Sequence, residues 1–241
     1  MNDSETKLRI LAVGAHPDDI EFGAGGILLK EYAAGAEIFE IITSRGESGS
    51  HGTPEIRVAE TAAAAAMIDA ADRLRFLDFG GDGKQTASPE NVVQLARCIR
   101  EIRPDVVLAP SLTANQHPDH AVVGAVCRDA CRVARYGGFA DLAGVPVHSV
   151  SSLWYYAITP SSDGSLTGAV LIDVSEVIGR WVEMMDCHGS QTRNRRYVEL
   201  QTSRARQLGL MAGCEHAIAL WPNDPPVLTG FGPVSHTARG F

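Results

Sequence analysis

The chain has 241 residues, with 29 acidic and 21 basic side chains and a formal net charge of −8. This length suits one α/β domain, and we predict a single domain over residues 1–241. An acidic chain repels phosphate groups, so neither nucleic acid nor an anionic membrane is an expected partner. The chain lacks a long apolar run and does not begin with the basic-then-apolar order of a signal peptide, which predicts a cytoplasmic protein without a membrane anchor.

The first predicted strand, Leu8 to Val13, leads into a turn with three functional side chains, His16, Asp18 and Asp19. The strand is apolar without alternation, as expected of a central parallel strand that is buried on both faces. Pro17 fits the first position of a following helix, whose N-terminal dipole favours ionised aspartates. His16 and Asp19 are three residues apart and can converge on one cation. A nitrogen and an oxygen ligand together suit Zn²⁺.

A strand, a turn and a glycine-containing helix also occur in dinucleotide-binding proteins. Their fingerprint needs small residues where the backbone approaches the pyrophosphate, whereas this turn has His16 and Pro17. The two carboxylates of the turn would also repel a phosphate. Metal binding is therefore the preferred interpretation of the first motif, and nucleotide binding is the weaker alternative.

The remaining elements alternate between strands and helices after a first helix that runs from about Asp19 to Ala33. Alternation of this kind implies right-handed crossovers and a mostly parallel sheet flanked by helices, a Rossmann-like α/β fold. In such folds the site lies at the carboxyl ends of the strands. The later predicted elements are strand Ala36–Thr43, helix Pro54–Ala70, strand Leu74–Phe79, helix Pro89–Arg103, strand Asp105–Pro110, helix Ala121–Ala134, strands Leu153–Ile158 and Ala169–Val174, and helices Glu176–Cys187 and Asn194–Met211.

Two loops at the same edge are candidate walls of a pocket. Residues 44–53 form a loop rich in glycine and serine after the second strand, and Arg57 lies near the start of the helix that follows. Asp82 lies among glycines after the third strand, where a turn-forming role is the simpler explanation. The five cysteines show no zinc-binding spacing, so we predict unpaired thiols in a reducing compartment.

A second polar cluster, His117-Pro118-Asp119-His120, follows the fourth strand. It repeats the logic of the first motif, because its two histidines are three residues apart and can face the same way. His16, Asp19 and one of these two histidines would form a three-ligand site. Three protein ligands leave one position for water, which is typical of catalytic zinc. The residues alone do not choose between His117 and His120.

Together, the Ala-His-Pro-Asp-Asp and His-Pro-Asp-His motifs resemble those of the LmbE/PIG-L family of zinc-dependent N-deacetylases. Arg57 with Glu60, the Asp82 loop and the segment His188–Gln191 extend the resemblance over nearly the whole chain. The chain length and the Tyr-Val-Glu sequence before an arginine-containing helix resemble the bacillithiol-biosynthesis branch, which deacetylates GlcNAc-malate. One departure is Ile20, which stands where the family often has Glu.

The resemblance implies roles for the residues of both motifs. The implied zinc ligands are His16, Asp19 and His120, with Fe²⁺ as the alternative metal. Asp18 is the implied general base. His117 is the implied cationic group beside the reacting carbonyl, and Asp119 is implied to support it.

Further roles follow from the resemblance alone. Tyr197 is implied to hydrogen-bond the oxyanion, and Arg57 and Asp82 match positions that bind sugar hydroxyls in relatives. Relatives in the suggested branch form hexamers, so we expect a homo-oligomer. The arginines of segment 193–206 are interpreted as a solvated face, with contact to an anionic aglycone as the alternative.

The sequence therefore predicts an enzyme that hydrolyses the N-acetyl group of a GlcNAc-containing small molecule, releasing acetate and a free amine. An amidase acting on a glucosamine-thiol conjugate is the nearest alternative. Two alternatives come from other classes: a nucleotide-dependent oxidoreductase and a non-catalytic sugar-binding module.

Overall fold

The computed structural model describes residues 7–114, 117–159, 166–193, 195–234 and 237–238. Within these ranges the strands are β1 (Arg9–Gly14), β2 (Glu37–Ile42), β3 (Leu74–Phe76), β4 (Val106–Pro110), β5 (Ser152–Tyr156), β6 (Val170–Asp173) and β7 (Ala217–Pro222). The helices are α1 (Asp19–Ala33), α2 (Pro54–Ala66), α3 (Pro89–Ile102), α4 (Pro118–Ala134), α5 (Ile178–Asp186), α6 (Gly189–Thr192) and α7 (Tyr197–Ala212).

The described strands form one sheet in the order β3-β2-β1-β4-β5-β7-β6. The five strands from β3 to β5 pair in parallel, while β7 is antiparallel to both β5 and β6. The prediction of a mostly parallel sheet flanked by helices is therefore confirmed. β1 lies at the centre, so the turn that follows it is surrounded by the loops of its neighbours.

β1 is apolar on both faces because each face meets a separate part of the core. Ile10 and Ala12 pack into the cluster that includes α1, α5 and α7 residues. Leu11 and Val13 pack into the other cluster, with side chains from α3 and α4. All four side chains are at most 3% exposed. A strand buried on both faces can present its polar groups only at its end, which here is the turn with His16.

The structure corrects several predicted boundaries. α1 begins at Asp19, and Asp18 is its N-cap, so Pro17 is not at the first helical position as predicted. α2 ends at Ala66 rather than Ala70, because the chain turns at Asp69, where φ is 54°. β3 ends at Phe76 rather than Phe79, although the backbone N–H groups of Leu77 and Phe79 still donate to β2 and Thr43.

One strand was missing from the predicted elements. β7 inserts between β5 and β6, and its first four residues, Ala217 to Leu220, are buried. From sequence alone, a short apolar run after a helix does not indicate whether it joins the sheet as a strand, or whether it would pair in parallel or antiparallel. The predicted last helix begins at Tyr197 in the structure, and Asn194 lies outside the described residues.

The structure also bears on the predicted state of the cysteines and on membrane-spanning helices. All five cysteines are unpaired, as predicted. Among the described residues, no helix combines the length and apolar character needed to cross a membrane.

Candidate metal centre and active site

The turn after β1 is closed by hydrogen bonds to one carboxylate oxygen. Oδ2 of Asp19 accepts the backbone N–H groups of Ala15 and His16, both at 2.9 Å. The carbonyl of Ala15 accepts from Nε2 of Gln85 at 2.9 Å and from Oγ of Ser44 at 2.8 Å. His16 and Asp19 are 5% and 3% exposed. The turn is therefore rigidly held before any ligand binds.

His120 completes a triangle with His16 and Asp19. Nδ1 of His16 lies 3.4 Å from Oδ2 of Asp19, and Nε2 of His120 lies 3.1 Å from Oδ1 of Asp19. Ligands bound tetrahedrally to zinc at about 2.0–2.1 Å are separated by roughly 3.3–3.4 Å. The two separations end on different oxygens of the Asp19 carboxylate. It is therefore the mixed nitrogen and oxygen donors, and the contact of both histidines with one carboxylate, that suit a zinc-type cation here.

The structure brings further candidate ligands to the same place. Two overlapping groups of side chains each bring one ligand atom per residue within 4.8 Å of the others. The first group is His16, His117 and His120, and the second is His16, Asp82, His117 and Asp119. The side chain of His117 is 37% exposed, compared with 6% for His120. His117 is thus the histidine that solvent or a substrate can reach.

Asp119 and Asp82 lie against the outer nitrogen of His16. Nε2 of His16 is 3.1 Å from Oδ2 of Asp119 and 3.2 Å from Oδ1 of Asp82. Asp119 also accepts the backbone N–H of Gly83 at 2.8 Å. Its distance to Nδ1 of His117 is longer, 3.9 Å. In this structure Asp119 therefore orients His16 more directly than it orients His117.

Asp82 is also engaged with the histidines. Its Oδ1 lies 3.4 Å from Nε2 of His117, and hydrogen bonds from His117 and then His16 hold the pKa of Asp82 below its usual range. Its Oδ2 accepts the backbone N–H of Ser48 at 3.2 Å, and the residue is 6% exposed. Asp82 therefore joins the 44–53 loop to the histidine cluster.

Asp18 points away from the triangle, towards α2. Its φ of 109° is rarely adopted by a residue with a side chain, and strained positions of this kind cluster at functional sites. Oδ2 of Asp18 lies 3.3 Å from Nη2 of Arg57, which also donates to the carbonyl of Pro17 at 2.6 Å. Arg57 is buried, so it anchors this turn from inside the protein.

The two neighbouring aspartates differ in their protonation. Burial raises the pKa of Asp18 to about 6, although Arg57 opposes the shift. Burial acts on Asp19 in the same direction, but His120 and His16 outweigh it and hold the pKa of Asp19 well below its usual range. The helix dipole favours the ionised form of both aspartates. Burial opposes it at Asp18, whose carboxyl group is therefore the one suited to exchange a proton near neutral pH.

Tyr197 lies at the first position of α7, beside a recess of about 630 Å³ lined by His51, Arg195, Arg196, Tyr197 and Leu200. Its ring centroid is 6.0 Å from that of Phe22, and the guanidinium of Arg195 lies 5.9 Å from the ring. These described contacts are not with the three histidines. Two of the nearby arginines of segment 193–206 thus border an open recess rather than the histidine cluster.

Two sets of buried polar residues received no role from the sequence. Gln85, which holds the Ala15 carbonyl and accepts from Thr43 at 2.6 Å, follows the Asp82 loop without any motif of its own. His188 and Glu21 are both 1% exposed and form a buried ion pair, with Nε2 and Oε2 separated by 3.3 Å. Glu21 is a polar residue inside a predicted helix, and His188 belongs to the segment that extends the family resemblance, but neither observation indicates that the two side chains meet.

The fold and this cluster define an α/β protein with a candidate metal centre at the carboxyl edge of a parallel sheet. A family model described as PIG-L, GlcNAc-PI de-N-acetylase, matches residues 11–131, a range that contains both histidine motifs. The chain belongs to this family, which confirms the resemblance derived from the two motifs.

Individual relatives agree on the fold and differ in their named activities. The chain is 28% identical over 196 residues to the diacetylchitobiose deacetylase of Thermococcus kodakarensis, covering 76% of this chain and 70% of that enzyme. It resembles the crystal structure of the conserved protein TT1542 from Thermus thermophilus, with 30% identity, a TM-score of 0.78, and 92% and 97% of the two chains covered. The 4-carboxy-2-hydroxymuconate hydratase GalB of Pseudomonas putida has a TM-score of 0.81 at 21% identity, with 92% and 99% covered, which shows a shared fold alone.

Proposed function

We propose that this protein is a metal-dependent amide hydrolase that removes the N-acetyl group from a GlcNAc-containing small molecule. One observation carries the proposal: the two strand-end motifs, which lie far apart in the chain, converge on a single buried cluster. Family membership supports hydrolysis over the oxidoreductase and the sugar-binding module. The named relatives with N-acetylated sugar substrates support the amino-sugar class.

The proposed metal ligands are His16, Asp19 and His120. A divalent cation at this position, Zn²⁺ or alternatively Fe²⁺, would supply a Lewis acid and lower the pKa of a water molecule. The arrangement supports this ligand set because both histidines lie within 3.4 Å of a carboxylate oxygen of Asp19, and all three side chains are buried. His117, the more exposed histidine, then remains available to the substrate.

The remaining residues are proposed to move protons and to stabilise charge. Asp18 accepts the proton of the attacking water and returns it to the departing amine, consistent with its pKa near neutrality. His117 donates a hydrogen bond to the carbonyl oxygen as negative charge develops on it. Acetate and a free amine are the products. Tyr197 is proposed as a second donor that approaches the oxygen only when substrate is bound.

Arg57 and Asp82 are proposed to position the sugar. Both are buried, and both contact the 44–53 loop as well as one of the two motifs. We further propose that the enzyme acts in the cytoplasm as a homo-oligomer. The unpaired cysteines support a reducing compartment, and the strongly exposed Val227 and Phe231 support contact with another subunit.

The decisive experiment is a panel of N-acetylglucosamine derivatives assayed for released acetate. The panel contains the free sugar, the malate glycoside, the inositol glycoside and chitobiose, each tested with metal present and after chelation. Metal-dependent acetate release from at least one derivative is the expected result. Failure with all of them would reject the proposal. An assay of a glucosamine-thiol conjugate for amide cleavage tests the nearest alternative, and the hydratase fold relative shows why the reaction must be measured directly.

A further inference from the structure

The segment His188–Gln191, which comprises the N-cap and the first three residues of α6, has a dense set of contacts that the proposed chemistry does not use. We call these four residues the junction segment. It contacts α1, α2 and the 44–53 loop, which are the three parts of the chain that surround the turn after β1.

The contact with α2 is made through Ser190. Its backbone N–H and its hydroxyl donate to the two carboxylate oxygens of Glu60, each at 2.6 Å. Glu60 lies three residues after Arg57 and therefore on the same side of α2. Arg57 in turn donates to Pro17 and contacts Asp18. Ser190 thus attaches the junction segment to the helix whose Arg57 also donates to the carbonyl of Gly46 in the 44–53 loop.

The contact with the loop is made through Gln191 and by close packing. Nε2 of Gln191 donates to the carbonyl of His51 at 2.9 Å and to Oγ of Ser190 at 3.0 Å. Gly52 has a φ of 77°, and a Cβ added there would lie only 2.9 Å from Ser190. The loop therefore rests directly on the junction segment, and a side chain at this position would push it away.

The other end of the loop meets Asp82. Oγ of Ser48 donates to the carbonyl of Asp82 at 2.8 Å, and Oε2 of Glu47 accepts its backbone N–H at 3.1 Å. A Cβ added at Gly46 would lie 2.0 Å from Nη1 of Arg57. The loop consequently connects both proposed sugar-binding residues to the junction segment.

The contact with α1 is the buried ion pair of His188 and Glu21. Burial lowers the pKa of His188, but Glu21, with smaller contributions from Asp18 and Glu60, outweighs it, so the pKa is raised above its usual value. Glu21 is two residues beyond Asp19, so this pair attaches the junction segment to the helix that begins at a proposed metal ligand.

We propose that Ser190 and Gln191 are positioning residues for substrate binding, which hold the 44–53 loop against Arg57 and Asp82 in the geometry that receives the sugar. The proposal rests on the proposed deacetylase function, since it assigns the loop to the substrate side of that site. Removing either residue loosens the loop without removing any group that contacts the metal or the reacting carbonyl. We therefore expect the loss of either residue to raise KM and to leave kcat close to the wild-type value.

The test uses Gln191→Leu and Ser190→Ala in the full-length protein. KM for the N-acetylglucosamine derivative with the highest wild-type rate should rise about tenfold, the effect of one lost hydrogen bond. The value of kcat and the metal content should stay close to wild type. Gln207→Leu is the matched control, because Gln207 is exposed on α7 and the same substitution there should change nothing.

Hydrogen exchange of peptides covering residues 44–53 gives a readout that does not require activity. Exchange in this loop should become faster in both variants and stay unchanged in the control. Unchanged exchange overturns the proposal whatever the activity, and so does faster exchange with an unchanged KM. A fall in kcat and metal content together with KM would also overturn it. If wild-type protein releases no acetate from any derivative, the proposed function fails, while the exchange data still decide whether the loop is held here.

Discussion

The two strand-end turns contain the same three residues, His-Pro-Asp, and use them differently. After β4, Pro118 is the first residue of α4, so His117 is the N-cap and Asp119 lies inside the helix. After β1, the helix starts two residues later in the motif, so Asp18 is the N-cap and Asp19 is the first helical residue. A shift in where the helix begins thus changes which side chains face the cluster.

As a consequence, residues at corresponding positions of the two motifs differ in burial and in their contacts. His16 is buried with nitrogens near three aspartates, while its counterpart His117 is partly exposed. Asp18 turns towards Arg57, while its counterpart Asp119 lies against His16. Identical residues in the two motifs therefore do not imply identical roles.

The largest effect is expected from the two histidines that open the motifs. His16→Ala should remove a ligand and most of the bound metal, and turnover should fall to background. His117→Ala should keep full metal content. Elemental analysis of the two purified variants decides this. Full zinc in His16→Ala, or loss of zinc in His117→Ala alone, would reverse the proposed ligand set.

The next largest effect is expected at Asp18. Asp18→Asn preserves the size of the side chain but removes the proton acceptor, so turnover should fall by about 10²–10⁴-fold. Metal content and substrate affinity should stay near wild type, since Asp18 points away from the ligand triangle. Steady-state kinetics with measured metal content provide the test. Near-normal turnover with metal bound would show that another group activates the water.

His117→Ala should have a smaller effect on turnover than Asp18→Asn. Loss of one donor to a developing oxyanion typically costs about 10²–10³-fold in rate. The loss should fall mainly on kcat, because the interaction strengthens in the transition state. A variant that loses affinity while keeping kcat would place His117 in substrate binding instead.

Asp119→Asn should act on the metal rather than on the proton transfer. Asp119 lies 3.1 Å from Nε2 of His16 and accepts from Gly83, so it orients a proposed ligand from behind. Removing such a partner typically weakens metal affinity by about 10–100-fold. Competition with a chelator of known affinity measures the change. Unchanged affinity with lower kcat would favour the role beside His117 that the family resemblance implies.

The sequence was informative where one physical constraint acted alone. The apolar run of β1 and the polar turn after it followed from burial on both faces, and the parallel sheet followed from the alternation of elements. The start of α1 near Asp19 was also predicted, but the position of Pro17 outside the helix was not, because a proline near a helix start suits more than one cap position. The raised pKa of Asp18 was also hidden, since it depends on burial by distant segments.

The acidic layer beneath the first turn was equally hidden. Glu40 lies within a correctly predicted strand whose burial was not predicted, and Glu21 follows Asp19 in α1, which packs on the same face of the sheet. Burial and then Glu21 raise the pKa of Glu40 well above its usual range. The second turn has no counterpart, because α4 continues after His120 with Ala121, Val122 and Val123.

Glu40→Gln should therefore stabilise the protein at neutral pH, and it should do so without a change in metal content. Because the pKa of Glu40 is raised by folding, its carboxyl group favours the folded state only while protonated, and this contribution is lost as the pH rises through the folded pKa. Below about pH 4.5 the wild type and the variant should be equally stable. Above it, the advantage of the variant should grow by at most about 1.4 kcal/mol per pH unit until the folded pKa is passed. Urea unfolding across this pH range measures the difference.

The control is Glu37→Gln on the same strand, where loss of the surface ion pair with Arg9 should destabilise by at most about 1 kcal/mol. If the two variants show the same pH dependence of the free energy of unfolding, burial of Glu40 does not destabilise the folded protein. A neighbouring group must then stabilise its ionised carboxylate.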